Sequence, residues 1–262
     1  MRDSAEIPVI DFLGLRFHDL DVNQAAQAIV ARDPDAPFAY VVTPNAQHVV
    51  HFAQSDEPWL QNLKDAWLVL VDGRIMPMLA RRLFGRRLPV ASGSDLTVEM
   101  LKHHIRPDDA VTVIGGGAAL EKELVRQFGL TRLALHDPPM GYISNPAEVE
   151  KCIDFLVAHP ARYIFLATGA PRSETLARAA ARRGGIRGVG LCIGGSLLFA
   201  TGLVKRAPLW MQKAGLEAVH RLWQHPRTHL RRIFLESLPV VWIFLRARLG
   251  GRGILPGERS RA

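Results

Sequence analysis

Between residues 38 and 193 the chain alternates short runs of β-favouring apolar residues with longer stretches of helical period, and this alternation constrains its fold more than any other feature. The runs are FAYVVT (38–43), WLVLVD (67–72), AVTVIG (110–115), RLALHD (132–137), YIFLATG (163–169) and GVGLCIG (188–194). Segments 45–52, 74–84, 94–105, 118–128, 146–158 and 173–183 between them read as helices, several opened by Ser, Asp or Asn, with Pro160 and Gly184-Gly185 as punctuation. The pattern predicts an α/β fold: a mostly parallel, Rossmann-like sheet with flanking helices. Several runs end in a small, polar or acidic residue, and open α/β sheets bind ligands at the carboxyl ends of their strands. The order of the strands is not encoded locally.

After Gly202 the character changes. Twelve Lys/Arg and three acids fall from Leu203 onward, leaving twenty-one bases and twenty-two acids before it. The net charge of +8 therefore belongs to the last sixty residues, where Lys205, Arg206, Lys213, Arg221, Arg227, Arg231 and Arg232 interleave with Trp210, Trp223 and Trp242. Cations and indoles at helical spacing suit a membrane interface or another anionic surface; a solvated charged face around a local Trp core is the plainer reading. The expected organisation is an α/β catalytic body over 1–202, a helical, basic C-terminal appendage over 203–249 and a flexible tail over 250–262. On this division, truncation after Gly202 leaves a folded core.

The apolar run 233–245 is broken by Glu236, Ser237 and Pro239 and is too short to span a bilayer. The opening MRDSAEIPVIDFLG does not read as a signal peptide. Cys152 and Cys192 sit in apolar surroundings without metal or disulfide spacing. These features suit a cytoplasmic protein, and no nucleic-acid recognition motif accompanies the basic residues.

Four constellations carry candidate chemistry. Thr43-Pro44-Asn45 and Asp72-Gly73 follow predicted strands; a carboxylate there can act as a general base toward a sugar hydroxyl, with Thr43 and Asn45 as hydrogen-bonding partners. Asp72 could equally cap the next helix. Gly115-Gly116-Gly117 opens a helix and lets backbone N–H groups approach a phosphate, although a glycine run is also a plain tight turn and Asp137 is an ambiguous match to the acid of a dinucleotide fingerprint. Gly169-Ala170-Pro171-Arg172-Ser173-Glu174 enters another helix; Ser173 and Glu174 share a crevice with Asp72 if their strands are neighbours, and simply cap the helix otherwise. The basic tail is the fourth.

Taken in order, TPNAQHVV, VDGRIMPMLARRLFG, SGSDL, VTVIGGG, Gly141-Tyr142, ATGAPRSE and GGSLLFATGLVKRAPLWMQKAGLEAVHRLWQHPRTHLRR resemble the WecG/TagA/CpsF family, glycosyltransferase family 26. The last segment is the most specific. The resemblance implies an inverting transfer, with no metal or other cofactor, from a UDP-sugar to a polyprenyl-pyrophosphate-linked glycan at the inner face of the cytoplasmic membrane, in surface polysaccharide biosynthesis. It implies Asp72 as catalytic base with Thr43 and Asn45 in the same pocket. It places Gly115, Gly116, Gly117 and Tyr142 near the nucleotide, together with Gly169, Ser173 and Glu174, and implicates Arg206, Arg221, Arg227 and Arg231 with the acceptor pyrophosphate. Homo-oligomer formation is left open. The chain departs from the family pattern at Ser173, Leu198 and Ala218, where Gln, an acid and Trp are usual. The rival from another class is a catalytically impaired scaffold recruited to a polysaccharide-assembly complex; a nicotinamide-dependent enzyme resting on the glycine triplet is weaker.

Overall fold

The structure is a computed structural model that describes residues 7–54, 60–205, 207–208, 211 and 239–250. Six parallel strands form one sheet: β3 (Ala39–Val42), β4 (Leu68–Val69), β5 (Ala110–Ile114), β6 (Arg132–His136), β7 (Tyr163–Leu166) and β8 (Val189–Cys192), in the order β4-β3-β8-β7-β5-β6. Each falls inside one of the six runs read from the sequence. Along them successive side chains enter opposite layers, as a strand's twofold period requires. Tyr40, Val42, Ile164 and Leu166 face one apolar core, and Val41, Val111, Tyr163 and Phe165 face the other. Covering both faces is what makes these strands nearly continuous in hydrophobicity.

The helices between strands are α2 (Ala46–Gln54) and α3 (Leu60–Lys64) after β3, α4 (Ile75–Phe84) and α5 (Gly93–Glu99) after β4, and α6 (Gly117–Phe128) after β5. Helix α7 (Pro146–Ala158) follows β6, α8 (Arg172–Arg183) follows β7 and α9 (Ser196–Ala200) follows β8. Helix α5 runs on as a π-helical turn over Met100–His104, so the segment expected as one helix changes pitch midway. Asn145 caps α7, accepting from the Ala147 N–H, with Pro146 in the first turn.

An N-terminal hairpin and helix lie outside the sequence reading. Strands β1 (Val9–Phe12) and β2 (Leu15–His18) pair antiparallel. Leu13 and Gly14 both take positive φ, 54° and 82°, in the two-residue connection, the geometry that matches strand twist in a tight hairpin. Asp21 then opens α1 (Val22–Ala31) with a reciprocal capping box to Gln24.

The hairpin covers the β4 edge of the sheet, where His18 Nδ1 accepts from the Val69 N–H at 3.0 Å. That bond requires an unprotonated Nδ1. Burial, and then the Arg16 charge, hold the imidazole below its ordinary pKa of 6.5. The unfolded chain therefore protonates His18 first, and its contribution, complete above pH 6.5, is lost as pH falls through the depressed folded value. Urea unfolding from about pH 7.5 to about pH 5.5 is expected to show a steeper loss of stability for the wild type than for His18→Gln, which keeps an acceptor but no titrating ring. Parallel curves for the two proteins rule the mechanism out.

The C-terminal helix Pro239–Gly250 packs against α2 and α4. Val240 and Phe244 are 0% and 1% exposed, and the Phe244 ring lies 5.6 Å from Phe12 and 6.2 Å from Phe84. Part of the predicted appendage thus belongs to the same core as the sheet. Among the described residues no helix is long and apolar enough to cross a membrane.

Candidate active site

Because all six strands run parallel, their carboxyl ends share one edge, and the segments leaving them build the candidate site. At the β3 and β4 ends the Asp72 N–H donates to the Pro44 carbonyl at 3.0 Å, and the Ala91 N–H donates to the Val71 carbonyl at 3.0 Å. These two bonds lace Thr43-Pro44-Asn45, Asp72-Gly73 and the entry to α5 together. Asp72 is half-buried. It lies two residues before Arg74, which holds the N-cap position of α4.

Beside Asp72, small residues bring hydroxyls together. A Cβ on Gly93 would lie 3.0 Å from Thr43 Oγ1 and 3.5 Å from Ser196 Oγ, and Ser94 Oγ and Ser196 Oγ are 3.3 Å apart. Asn45 is turned partly into its own loop, where Oδ1 accepts from the Gln47 N–H at 3.0 Å. The Asn45 backbone N–H donates to His48 Nδ1 at 3.2 Å, that nitrogen lies 2.9 Å from Asn45 Oδ1, and His48 Nε2 lies 3.9 Å from Glu174 Oε1.

Glu174 is 5% exposed, and its Oε2 is buried without a hydrogen-bond partner among the described residues. The Cys192 thiol is pushed up by its own burial and then by the Glu174 charge. Ser173 is fully buried and donates to the Leu166 carbonyl at 2.9 Å. The shared crevice envisaged for Asp72, Ser173 and Glu174 required neighbouring strands, but β3 and β8 stand between β4 and β7. Ser173 and Glu174 support the floor from beneath, and Glu174 reaches the β3 end through His48.

The glycine triplet lies at a topological switch point. Strands β5 and β7 are adjacent, yet β5 continues through α6 outward to β6 while β7 continues through α8 the other way to β8. The two connections diverge and leave a crevice, the usual ligand position in open α/β sheets. Gly115, Gly116 and Gly117 have φ of 98°, 94° and 71°. A Cβ on Gly115 would lie 3.0 Å from Thr168 Cγ2 and 3.2 Å from the Ala167 carbonyl carbon. Main chain can therefore approach a ligand where a side chain could not stand, at the N-terminus of a twelve-residue helix.

Three side chains edge this crevice. Asp137, one residue beyond β6, has Oδ2 3.2 Å from where a Gly117 Cβ would be. That is the relation in which dinucleotide folds present an acid to a ribose. Arg172 Nη2 lies 3.3 Å from the Cβ position of Gly169, and its Nη1 is 3.8 Å from Met140 Sδ. Thr168 Oγ1 is 3.0 Å from the Tyr142 hydroxyl and 3.2 Å from Ser173 Oγ. Tyr142 is 3% exposed, and burial pushes its phenol up to about 12, so it stays protonated and ties the loop from below.

The β8 end closes the gap: Gly194 lies 3.7 Å from the Gly169 Cα as measured from its would-be Cβ. A glycine-floored trough thus crosses the sheet edge from Asp137 to Asp72. Four interstrand steps separate β4 from β5, or ~19 Å at the usual spacing. Arg172, His48, Ser94 and Ser196 had been given no role by the sequence reading. Arg206, Arg221, Arg227 and Arg231 lie outside the described residues.

The Glycosyl transferase WecG/TagA/CpsF family matches residues 10–253. This chain belongs to that family. The match runs from the hairpin past the C-terminal helix, so the trough lies within a WecG/TagA/CpsF glycosyltransferase and not on an added module. The resemblance read from TPNAQHVV through the Arg-Ala-Pro-Leu-Trp segment identified the family correctly, and the parallel α/β architecture agrees with it.

Proposed function

We propose that this WecG/TagA/CpsF protein transfers a sugar from a UDP-sugar to a polyprenyl-pyrophosphate-linked glycan in surface polysaccharide biosynthesis, by a single inverting displacement without a metal. The observation that carries the reading is the placement of a switch-point crevice and a strand-end carboxylate on one sheet edge. The nucleoside lies at the Asp137 end, with its ribose hydroxyls toward that carboxylate. The diphosphate lies over Gly115, Gly116, Gly117 and Gly169, where backbone N–H groups and the Arg172 guanidinium meet it. The sugar extends toward Thr43 and Asn45.

The acceptor hydroxyl gives its proton to Asp72 as its oxygen bonds to the anomeric carbon. The bond from that carbon to the diphosphate breaks, and UDP leaves with the electron pair. Negative charge grows on the leaving group, where fixed dipoles and a guanidinium stabilise a transition state best. Tyr142, Thr168 and Ser173 hold the crevice wall in shape. In this reading Arg206, Arg221, Arg227 and Arg231 meet the acceptor pyrophosphate, and the protein works peripherally at the inner face of the cytoplasmic membrane.

The reading is tested by calorimetry with UDP, followed by a panel of UDP-sugars incubated with short polyprenyl-pyrophosphoryl acceptors and read by mass. Micromolar UDP binding and one mass-shifted product are expected. Absence of both removes the enzymatic reading and leaves the scaffold.

A further inference from the structure

Helix α4 begins two residues beyond Gly73 and carries Arg81 and Arg82; Arg74 caps its start, and Arg86 and Arg87 follow Gly85 at its end. The five arginines rim a groove of about 1100 Å3 whose lining includes Ile75, Met78, Leu88 and Val90 and, among the described residues, no acidic one. All five are exposed, and none of them joins the ion pairs found among the described residues. Such a concentration of one sign along a helix of about 15 Å repels itself and raises the local concentration of anions. Its length exceeds what one phosphate group can engage.

The neighbouring element supplies an independent observation. The C-terminal helix packs on α4 and turns Trp242 and Leu249 outward, 67% and 87% exposed, beside the exposed Arg246 and Arg248. A nucleic acid would engage the arginines but leave these apolar side chains in water. A bilayer interface takes both, with indole and aliphatic groups at the acyl boundary and guanidiniums on the lipid phosphates.

We infer that the α4 groove and the outward side of the C-terminal helix form a docking face for a bilayer bearing anionic phospholipids. The groove begins beside Asp72, so a membrane held there delivers a lipid-linked acceptor to the end of the trough where the base stands. The inference rests on the proposed reaction for its purpose only; its charge and exposure arguments do not depend on catalysis.

The test sediments full-length protein with vesicles of phosphatidylcholine alone and of phosphatidylcholine mixed with phosphatidylglycerol. Binding is expected to the anionic vesicles only and to weaken as salt is raised. Arg81→Gln/Arg82→Gln is expected to bind them about thirtyfold more weakly, the loss for removing two cations at an anionic lipid surface, and Arg86→Gln/Arg87→Gln to lose as much. Trp242→Ala weakens binding without changing its salt dependence. UDP calorimetry on the arginine variants is expected to match the wild type, which separates failure of docking from failure of the glycosyltransferase reading. Wild-type partitioning by both arginine pairs overturns the inference. So does equal affinity for both vesicle types, or a loss confined to self-association or DNA binding.

Discussion

Asp72→Asn is expected to lower sugar transfer by about 10³-fold, within the range that a positioned general base contributes, while UDP binds as tightly as before. The amide matches the carboxylate in shape but cannot take the acceptor's proton. Main-chain bonds, the Asp72 N–H on the Pro44 carbonyl and the Ala91 N–H on the Val71 carbonyl, hold the strand end in both proteins. The nucleotide contacts proposed here lie three to five strands away, which is why the two readouts should separate. Steady-state kinetics beside UDP calorimetry checks this. Transfer within tenfold of wild type removes Asp72 as the base; a parallel loss of UDP affinity assigns it to binding instead.

Phe244→Ala is expected to destabilise the protein by about 4 kcal/mol, as for an aromatic side chain deleted from a close-packed core. For a chain of this size that corresponds to a Tm about 10 °C lower. Phe244 is 1% exposed and meets Phe12 and Phe84, themselves 5.4 Å apart edge to face, so its removal also forfeits aromatic contacts. Trp242→Ala, on the exposed side of the same helix, is expected to change stability by less than about 0.5 kcal/mol. Thermal unfolding of the pair tests the packing, and equal Tm values for the two variants contradict it. The same contacts bear on truncation after Gly202, which would uncover Phe12 and Phe84 and so is not expected to leave an intact core.

Much of the sheet was legible because strands buried on both faces announce themselves as short apolar runs, and all six did. The hairpin escaped because the Phe12-Leu13-Gly14-Leu15 stretch hides its turn among apolar residues. The site was legible as a set of strand ends but not as a shape. Strand order depends on crossovers tens of residues long, so nothing local says that β5 sits beside β7 or that β4 sits far from both. For the same reason Ser173 and Glu174 could not be told from pocket residues. Their direction is set by the Leu166 carbonyl, on the strand before their helix, and by His48 on α2. Asp137 was ambiguous from spacing alone and became informative once its carboxylate was seen against Gly117.

Phe12 and Phe244 come from nearly opposite ends of the polypeptide, yet their rings touch. On the ribosome Phe12 can meet Phe84 early, but its contact with Phe244 must wait until the sheet and the helix at 239–250 have been made. The helix at 239–250 therefore acts as a late seal, covering rings that come from segments far earlier in the chain.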